Sequence, residues 1–344
     1  MAAVAALSGC GGSPQPPVAT PLRAAPEPAV SPPAAASLPG AVVALAGAPE
    51  GVAVTDGGTV AVNVRQGVSP GVRTLETLAG LVVFPIASSG APAARHSVPL
   101  TGSARHLTLG GPDGPALVAE ESDDLFVRVA LPSGQVLGSV HVGRQPHEAF
   151  RLGPDSYVVA DELGNTFHLV RNGRVVRIVP APLQPGGGAA SPDGRYFVGV
   201  GVRGRRITEY RASGDVVGSA NCGAGPTHVV SGSDGLFWVN DTNGDAVLGF
   251  TLTAHGPRQV ATVPTGAGSK PYGIAYDARR HTLWVTLTGR DQLLGLTFGG
   301  TRVTHRATYA TVQQPNTVAV DATTGELVVT GSIDAGNLQF LRAP

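Results

Sequence analysis

The sequence predicts an all-β fold: a seven-bladed β-propeller of four-stranded antiparallel blades, the last blade completed by the N-terminal strand. Three observations lead there. A short pattern recurs with a period near 40 residues from about residue 41 onward. Gly (48) and Pro (29) together exceed a fifth of the 344 residues, a composition that favours short elements joined by turns over long helices. The two ends of the repeating region also complement each other, because the last copy lacks one strand and an orphan strand precedes the first.

The recurring unit is an anchor Pro, two polar or small residues, an apolar alternation, an Asp/Gly turn and a second β-rich run. Clear copies begin at Pro49, Pro146, Pro226, Pro271 and Pro315, and weaker ones at Ala104 and Pro185. The intervals between anchors are 55, 42, 39, 41, 45 and 44, the long first one reflecting extra sequence at 65–78, read as an inserted loop. Each unit divides into four β-like runs. In the fifth they are 228–231, 236–240, 246–251 and 259–264, separated by turns rich in Asp, Asn and Gly. Four strands per ~40 residues, repeated, is a propeller-blade layout, since a lone four-stranded sheet would leave both faces exposed. The copy at Pro315 supplies three runs and stops at Leu338–Leu341. The run Ala41–Gly47 resembles a fourth run, and pairing the two removes an open edge.

These units resemble the YVTN-type propeller repeats of bacterial secreted proteins and, more loosely, NHL-type repeats. The fourth copy departs from that pattern, with Gly186-Gly187-Gly188 in place of an apolar start. The resemblance implies the fold and leaves function open, because the architecture hosts binders, scaffolds and several enzyme classes.

Residues 1–10 are apolar and end in Leu7-Ser8-Gly9-Cys10, which resembles the bacterial lipobox. The resemblance implies cleavage before Cys10, lipidation of its thiol and an extracytoplasmic, membrane-anchored protein. An Ala-rich terminus with an incidental cysteine is the plainer alternative. Residues 11–40 are dense in Pro and Ala with two charges and no aromatic, so they are expected to form an extended, solvated, disordered tether. The folded domain then spans 41–344. No later stretch reaches the ~20 apolar residues a spanning helix needs.

Lys+Arg and Asp+Glu are both 24, so the net charge is zero and nucleic acid is not expected as a partner. A monomer is expected. Cys10 and Cys222 make no disulfide framework, and Cys222 reads as a buried small apolar residue. Trp238 and Trp284 occupy equivalent second-strand places and read as packing between blades. No phosphate loop, HExxH, paired CxxC or GxSxG occurs in the sequence.

Candidate site residues come from strand direction. The two residues after each anchor, together with the turns between second and third strands, should share one rim. Three of the nine histidines fall on those post-anchor positions: His106, His147 and His228. With Glu148 they are candidate ligands for a divalent metal. Arg105, Tyr272 and Asn316 join them as candidate ligand-binding residues, able to grip an anionic or aromatic group without a metal. The rim turns add Glu120, Glu121, Asp123, Asp124, Asp161, Glu162, Asp241, Asp245, Asp291 and Asp334. Two functions fit: a binding or scaffold module for a protein, peptide or glycan, or a metal-assisted, lactonase-like lyase or hydrolase acting on a small extracellular compound. The lack of an adjacent nucleophile–base pair tilts the sequence toward the binder.

Overall fold

The computed structural model describes residues 24–45, 47–65, 80–85, 96–233, 235–333 and 335–342. Cys10, most of the expected inserted loop and Asp334 lie outside them. Strands alone make up the regular structure of the described residues, arranged in four-stranded antiparallel sheets. Six sheets, numbered one to six in chain order, each use four consecutive strands. Their first strands are Ala48–Val54, Ala104–Leu109, Pro146–Gly153, Pro185–Ala190, Pro226–Ser231 and Pro271–Asp277. A composite sheet joins Pro315–Val320, Glu326–Gly331 and Asn337–Arg342 to Ala41–Ala44 at its outer edge. First strands touch first strands from sheet to sheet in a closed cycle, which sets them around the axis.

The count of seven blades is corrected by this topology. Six blades fold from uninterrupted runs of chain, and the ring is closed between the sixth and the first by the composite sheet. The last anchor copy carries three strands, and the fourth comes from about 300 residues earlier in the chain, in the register Ala41↔Phe340 to Ala44↔Asn337. A parallel bridge between Gly47 and Ala335 and the bond from Leu45 N–H to Gly336 O extend that closure.

Composition follows position. Second strands pack against neighbouring sheets and are mostly apolar: Ala116–Glu120 and Thr282–Leu287 are buried at every residue. Fourth strands such as Arg174–Pro180 face solvent and are mostly exposed. Trp238 is fully buried and stacks on Phe298 of the next sheet, with ring centroids 4.1 Å apart. Cys222 is buried and free.

One local feature builds the site. In every first strand the ladder slips immediately after the anchor: between Pro49 and Val52, Ala104 and Leu107, Pro146 and Glu148, Pro185 and Gly187, Pro226 and Val229, Pro271 and Ile274, and Pro315 and Val318. A bulge adds residues that the partner strand does not match and re-aims their side chains. The post-anchor positions are these bulges, repeated around the axial channel. The glycine run of the fourth unit has a packing reason there. A Cβ on Gly187 would sit 2.7 Å from Glu148 Oε2, and one on Gly188 would sit 2.4 Å from the Phe150 ring.

Candidate metal centre in the axial channel

The bulges of sheets two, three and five carry His106, His147 and His228 to one spot, with a nitrogen of each within 4.8 Å of the others. His106 and His147 come from adjacent sheets. His228 comes from across the ring, and its Nε2 lies 3.3 Å from His106 Nε2. Tyr272 of sheet six packs edge-on to His228, completing a row His147–His106–His228–Tyr272 with successive centroids 4.7, 4.7 and 4.8 Å apart. This row is a septum across the channel.

Second contacts fix two of the three imidazoles. His228 Nδ1–H donates to Tyr272 O at 2.9 Å, and His147 Nδ1–H donates to Glu121 Oε1 at 2.9 Å with Glu162 Oε2 at 3.4 Å. In His228 this leaves Nε2 to face His106, the tautomer a metal-ligating histidine needs. Burial and the positive charge of His147 lower His228 to about 4 and push His106 well down, so both are neutral at pH 7. Burial pulls His147 down as well, but its hydrogen bond to Glu121 and the charges of Glu121 and Glu162 outweigh that, and its proton is held more tightly than usual. Glu148, under Gly187 and Gly188, is pushed up by burial to about 8, against the pull of His147 and the Gly188 N–H. Its Oε2 has no hydrogen-bond partner among the described residues.

A charged layer flanks the septum on the anchor side. Glu121 bridges Arg105 (Nε–Oε2 3.1 Å) and His147, and Arg65 pairs with Glu50. Burial raises the Glu50 carboxyl, opposed by Arg65 and Arg105, and raises the Tyr272 hydroxyl. Above this layer is a cavity of only about 30 Å³, lined by Arg105, His147, Glu162, Tyr272 and, from the N-terminal segment, Ala25–Glu27. On the other side the channel opens into a cavity of about 310 Å³ walled by residues such as Val54, Leu107, Val230, Ile274 and Val320, with His106, Glu148 and His228 at its end.

The expected tether therefore departs from a free solvated chain within residues 24–40. Ala29 N–H donates to Thr288 Oγ1 at 3.0 Å, and Ser31 N–H to Gln314 Oε1 at 3.1 Å. Gln314 Nε2 donates back to Ala29 O at 2.6 Å. Pro26 and Ser31 are buried, and Pro39 O accepts from Gln339 Nε2 at 2.9 Å. The segment is a strap running from the rim centre to the outer edge. Gln314 acts at both ends of its amide, accepting from Ser31 N–H and donating to Ala29 O, and so ties the proline-rich chain to the rim.

Of the expected residues, His106, His147, Glu148, His228, Arg105 and Tyr272 are brought together. Asn316 is not: its Oδ1 accepts from Thr317 Oγ1 and its carbonyl from Thr286 Oγ1. Most rim carboxylates are also occupied structurally. Asp241 accepts from the N–H groups of Ala224, Gly225 and Gly244. Asp124, Asp245 and Asp291 each accept from the residue before the next anchor. Each such buried N–H would cost about 1–3 kcal/mol if left unpaired. Of the described rim-turn carboxylates, Glu121 and Glu162 reach the histidine cluster. They share one repeat position, just past the second strand, with Arg65. That alignment would have singled them out.

No family model matches the sequence, and no curated protein matches it. Solved structures do match. Virginiamycin B lyase from Staphylococcus aureus superposes with a TM-score of 0.67 at 15% identity, covering 88% of this chain and 99% of the lyase. A chain of the mitotic checkpoint complex gives 0.71 at 14%, covering 95% and 98%. A chain of Kuenenia stuttgartiensis hydrazine synthase gives 0.66 at 16%, covering 89% and 96%. At these identities the likeness shows the fold, and the chain is a β-propeller. Its neighbours include enzymes and a checkpoint assembly, so the fold alone does not choose between catalysis and binding.

Proposed function

We propose that the protein is a lipid-anchored, extracytoplasmic propeller of YVTN type whose axial histidines hold one divalent transition metal, and that this centre serves a lyase or hydrolase acting on small, largely apolar compounds. The observation that carries the metal is the His106–His228 Nε2 separation of 3.3 Å together with the orientation of His147 and His228 by Glu121 and the Tyr272 carbonyl. Two nitrogens on one tetrahedral zinc, each ~2.05 Å from it, lie about 3.4 Å apart. A bound ion would act as a Lewis acid toward a carbonyl or similar oxygen. His147 would surrender its extra proton to Glu121 or solvent on ligation, and Glu148 stands beside the cluster as the group able to move a proton. The apolar cavity below selects the substrate: it has room for a small compound and few polar partners for a charged one. The lyase neighbour is compatible with this reading. Leu7-Ser8-Gly9-Cys10 and the proline-rich segment after it support the anchor and the address.

The strap favours a second reading, a rim that binds extended peptide, because residues 29–31 already lie there as one. Metal titration decides. Chelator-stripped protein should bind one Co2+ or Zn2+ per chain, Co2+ giving the visible absorption of a four-coordinate nitrogen-rich site. His106→Ala and His228→Ala should lose it. If wild type binds no more metal than these variants, the centre is wrong and the peptide rim stands.

A further inference from the structure

A second cavity, of about 270 Å³, opens between sheet six and the composite sheet and shares no lining residue with the histidine septum. Its walls are Thr282, Trp284, Gly295, Thr297, Ala307 and Tyr309, with Arg280, His305 and Gly325 at the mouth. The repeat explains why it is there. In sheet five, Trp238 pairs across the ladder with Gly249 and Gly249 with Ala261. In sheet six, Trp284 pairs with Gly295 and Gly295 with Ala307. The same Trp–Gly–Ala niche is thus built twice. Over Trp238 it is filled by Phe298 of the next sheet, tilted 30° with centroids 4.1 Å apart. Phe298 follows Thr297, whose pair Thr282↔Thr297 ends the ladder between the second and third strands of sheet six. The corresponding pair of the composite sheet is Glu326↔Arg342, and no aromatic residue of the described composite sheet takes the place of Phe298.

The cavity has room for a single six-membered aromatic ring, seated against Tyr309 and the 4% of Trp284 that stays accessible. The chemistry at the mouth adds charge. Arg280 Nη1 donates to Asp277 Oδ2 at 2.9 Å and to Ala322 O at 3.2 Å, and no bond from its Nε or Nη2 is found among the described residues. Asp277 is fully buried and already accepts from the N–H groups of Arg279 and Arg280, so it neutralises only part of the guanidinium's reach. Exposed His305 stands on the outer strand beside it. Sheet five has no counterpart of Arg280: its corresponding turn reads Gly-Ser-Asp-Gly at 232–235, and Val263 stands where Tyr309 does. We infer that this cavity binds a monocyclic aromatic carboxylate, its ring on Trp284 and Tyr309 and its carboxylate on Arg280. Arg is suited to such a group because its planar fork presents two parallel donors.

The test uses full-length protein labelled with fluorotryptophan, whose two 19F resonances are assigned with Trp238→Phe. Titration with 3-phenylpropionate should move the Trp284 resonance saturably and leave Trp238 in place, with Kd about 1 mM or tighter for a ligand of this size. The isosteric cation 3-phenylpropylamine should bind at least about tenfold more weakly, and Arg280→Gln should erase that preference. Ala307→Phe, which fills the niche from within, should abolish the shift. If Ala307→Phe does not fold, the acid–amine comparison on wild type still decides. No saturable Trp284 shift, equal binding of acid and amine, or unchanged binding by folded Ala307→Phe overturns the assignment.

Discussion

Replacing Glu148 with Gln should make the metal-free protein more stable, and only at high pH. Burial under Gly187 and Gly188 lifts this carboxyl from its ordinary 4.5 to about 8, while the His147 charge and the Gly188 N–H pull the other way. A raised acid keeps a proton in the folded state that the unfolded chain releases. Stability therefore falls as pH rises from 4.5 toward 8, and the loss is complete above 8. Each tenfold change in proton affinity is worth about 1.4 kcal/mol, so the displacement corresponds to at most about 5 kcal/mol. Gln keeps the volume and the acceptor for Gly188 without the charge. With chelator present, the two proteins should melt within about 2 °C of each other at pH 5, and Glu148→Gln should melt up to about 10 °C higher at pH 8.5, taking ~2 °C per kcal/mol for a domain this large. The lowered His106 and His228 act with the opposite sign, losing stability as pH falls from 6.5, but they do so in both proteins and cancel in the comparison. A difference in Tm that is the same at pH 5 and pH 8.5 would refute the buried neutral carboxyl.

Deleting residues 41–45 should strip the outer edge of the composite sheet and lower the thermal midpoint of the whole propeller, since ring closure couples every sheet; an unchanged melt would make that strand ornamental. Gln314→Ala should release the strap, leaving Ala29 O and the Ser31 N–H unmatched. Limited proteolysis within 24–31 should speed up by roughly tenfold with little change in Tm, because the segment opens locally. If the cleavage rate does not change, the strap is held by something other than Gln314.

Much of the candidate site was legible because the repeat is. The two positions that follow each anchor hold His106, His147 and His228, and the bulge that makes those positions special recurs in every first strand. Glu148 follows from the same count, since it sits where the Pro146 ladder slips. The rest depends on distances that no period encodes. Whether an Asp at a rim turn faces the channel or ties down a neighbouring backbone is decided by a few ångströms, and Asp241 and Asp245 went to the backbone. The septum needs His228 to reach across the ring to His106, a contact between units 122 residues apart. The strap was read from composition alone, and composition says that proline-rich chain cannot build a core; it does not say that a glutamine on the rim can hold it.

A propeller repeats its backbone more faithfully than its side chains, and both sites are places where the repetition fails. At the bulge positions the backbone is nearly constant, while the residues run from Glu50-Gly51 through Arg105-His106 and Gly186-Gly187 to Tyr272-Gly273. A ring of identical imidazoles would repel any of its members that took a proton and would crowd the axis. Three histidines spread over sheets two, three and five converge at one spot, while the glycines at 51 and 273 let neighbouring first strands approach closely. A Cβ on Gly51 or Gly273 would press within 2.6 Å or 2.2 Å of the neighbouring first strand. The outer cavity follows the same rule, since Phe298 stacks on Trp238 while a cavity borders Trp284. Chemistry in this chain is therefore to be sought where units differ from one another, and the His106–His228 pair and the cavity beside Trp284 are two such places.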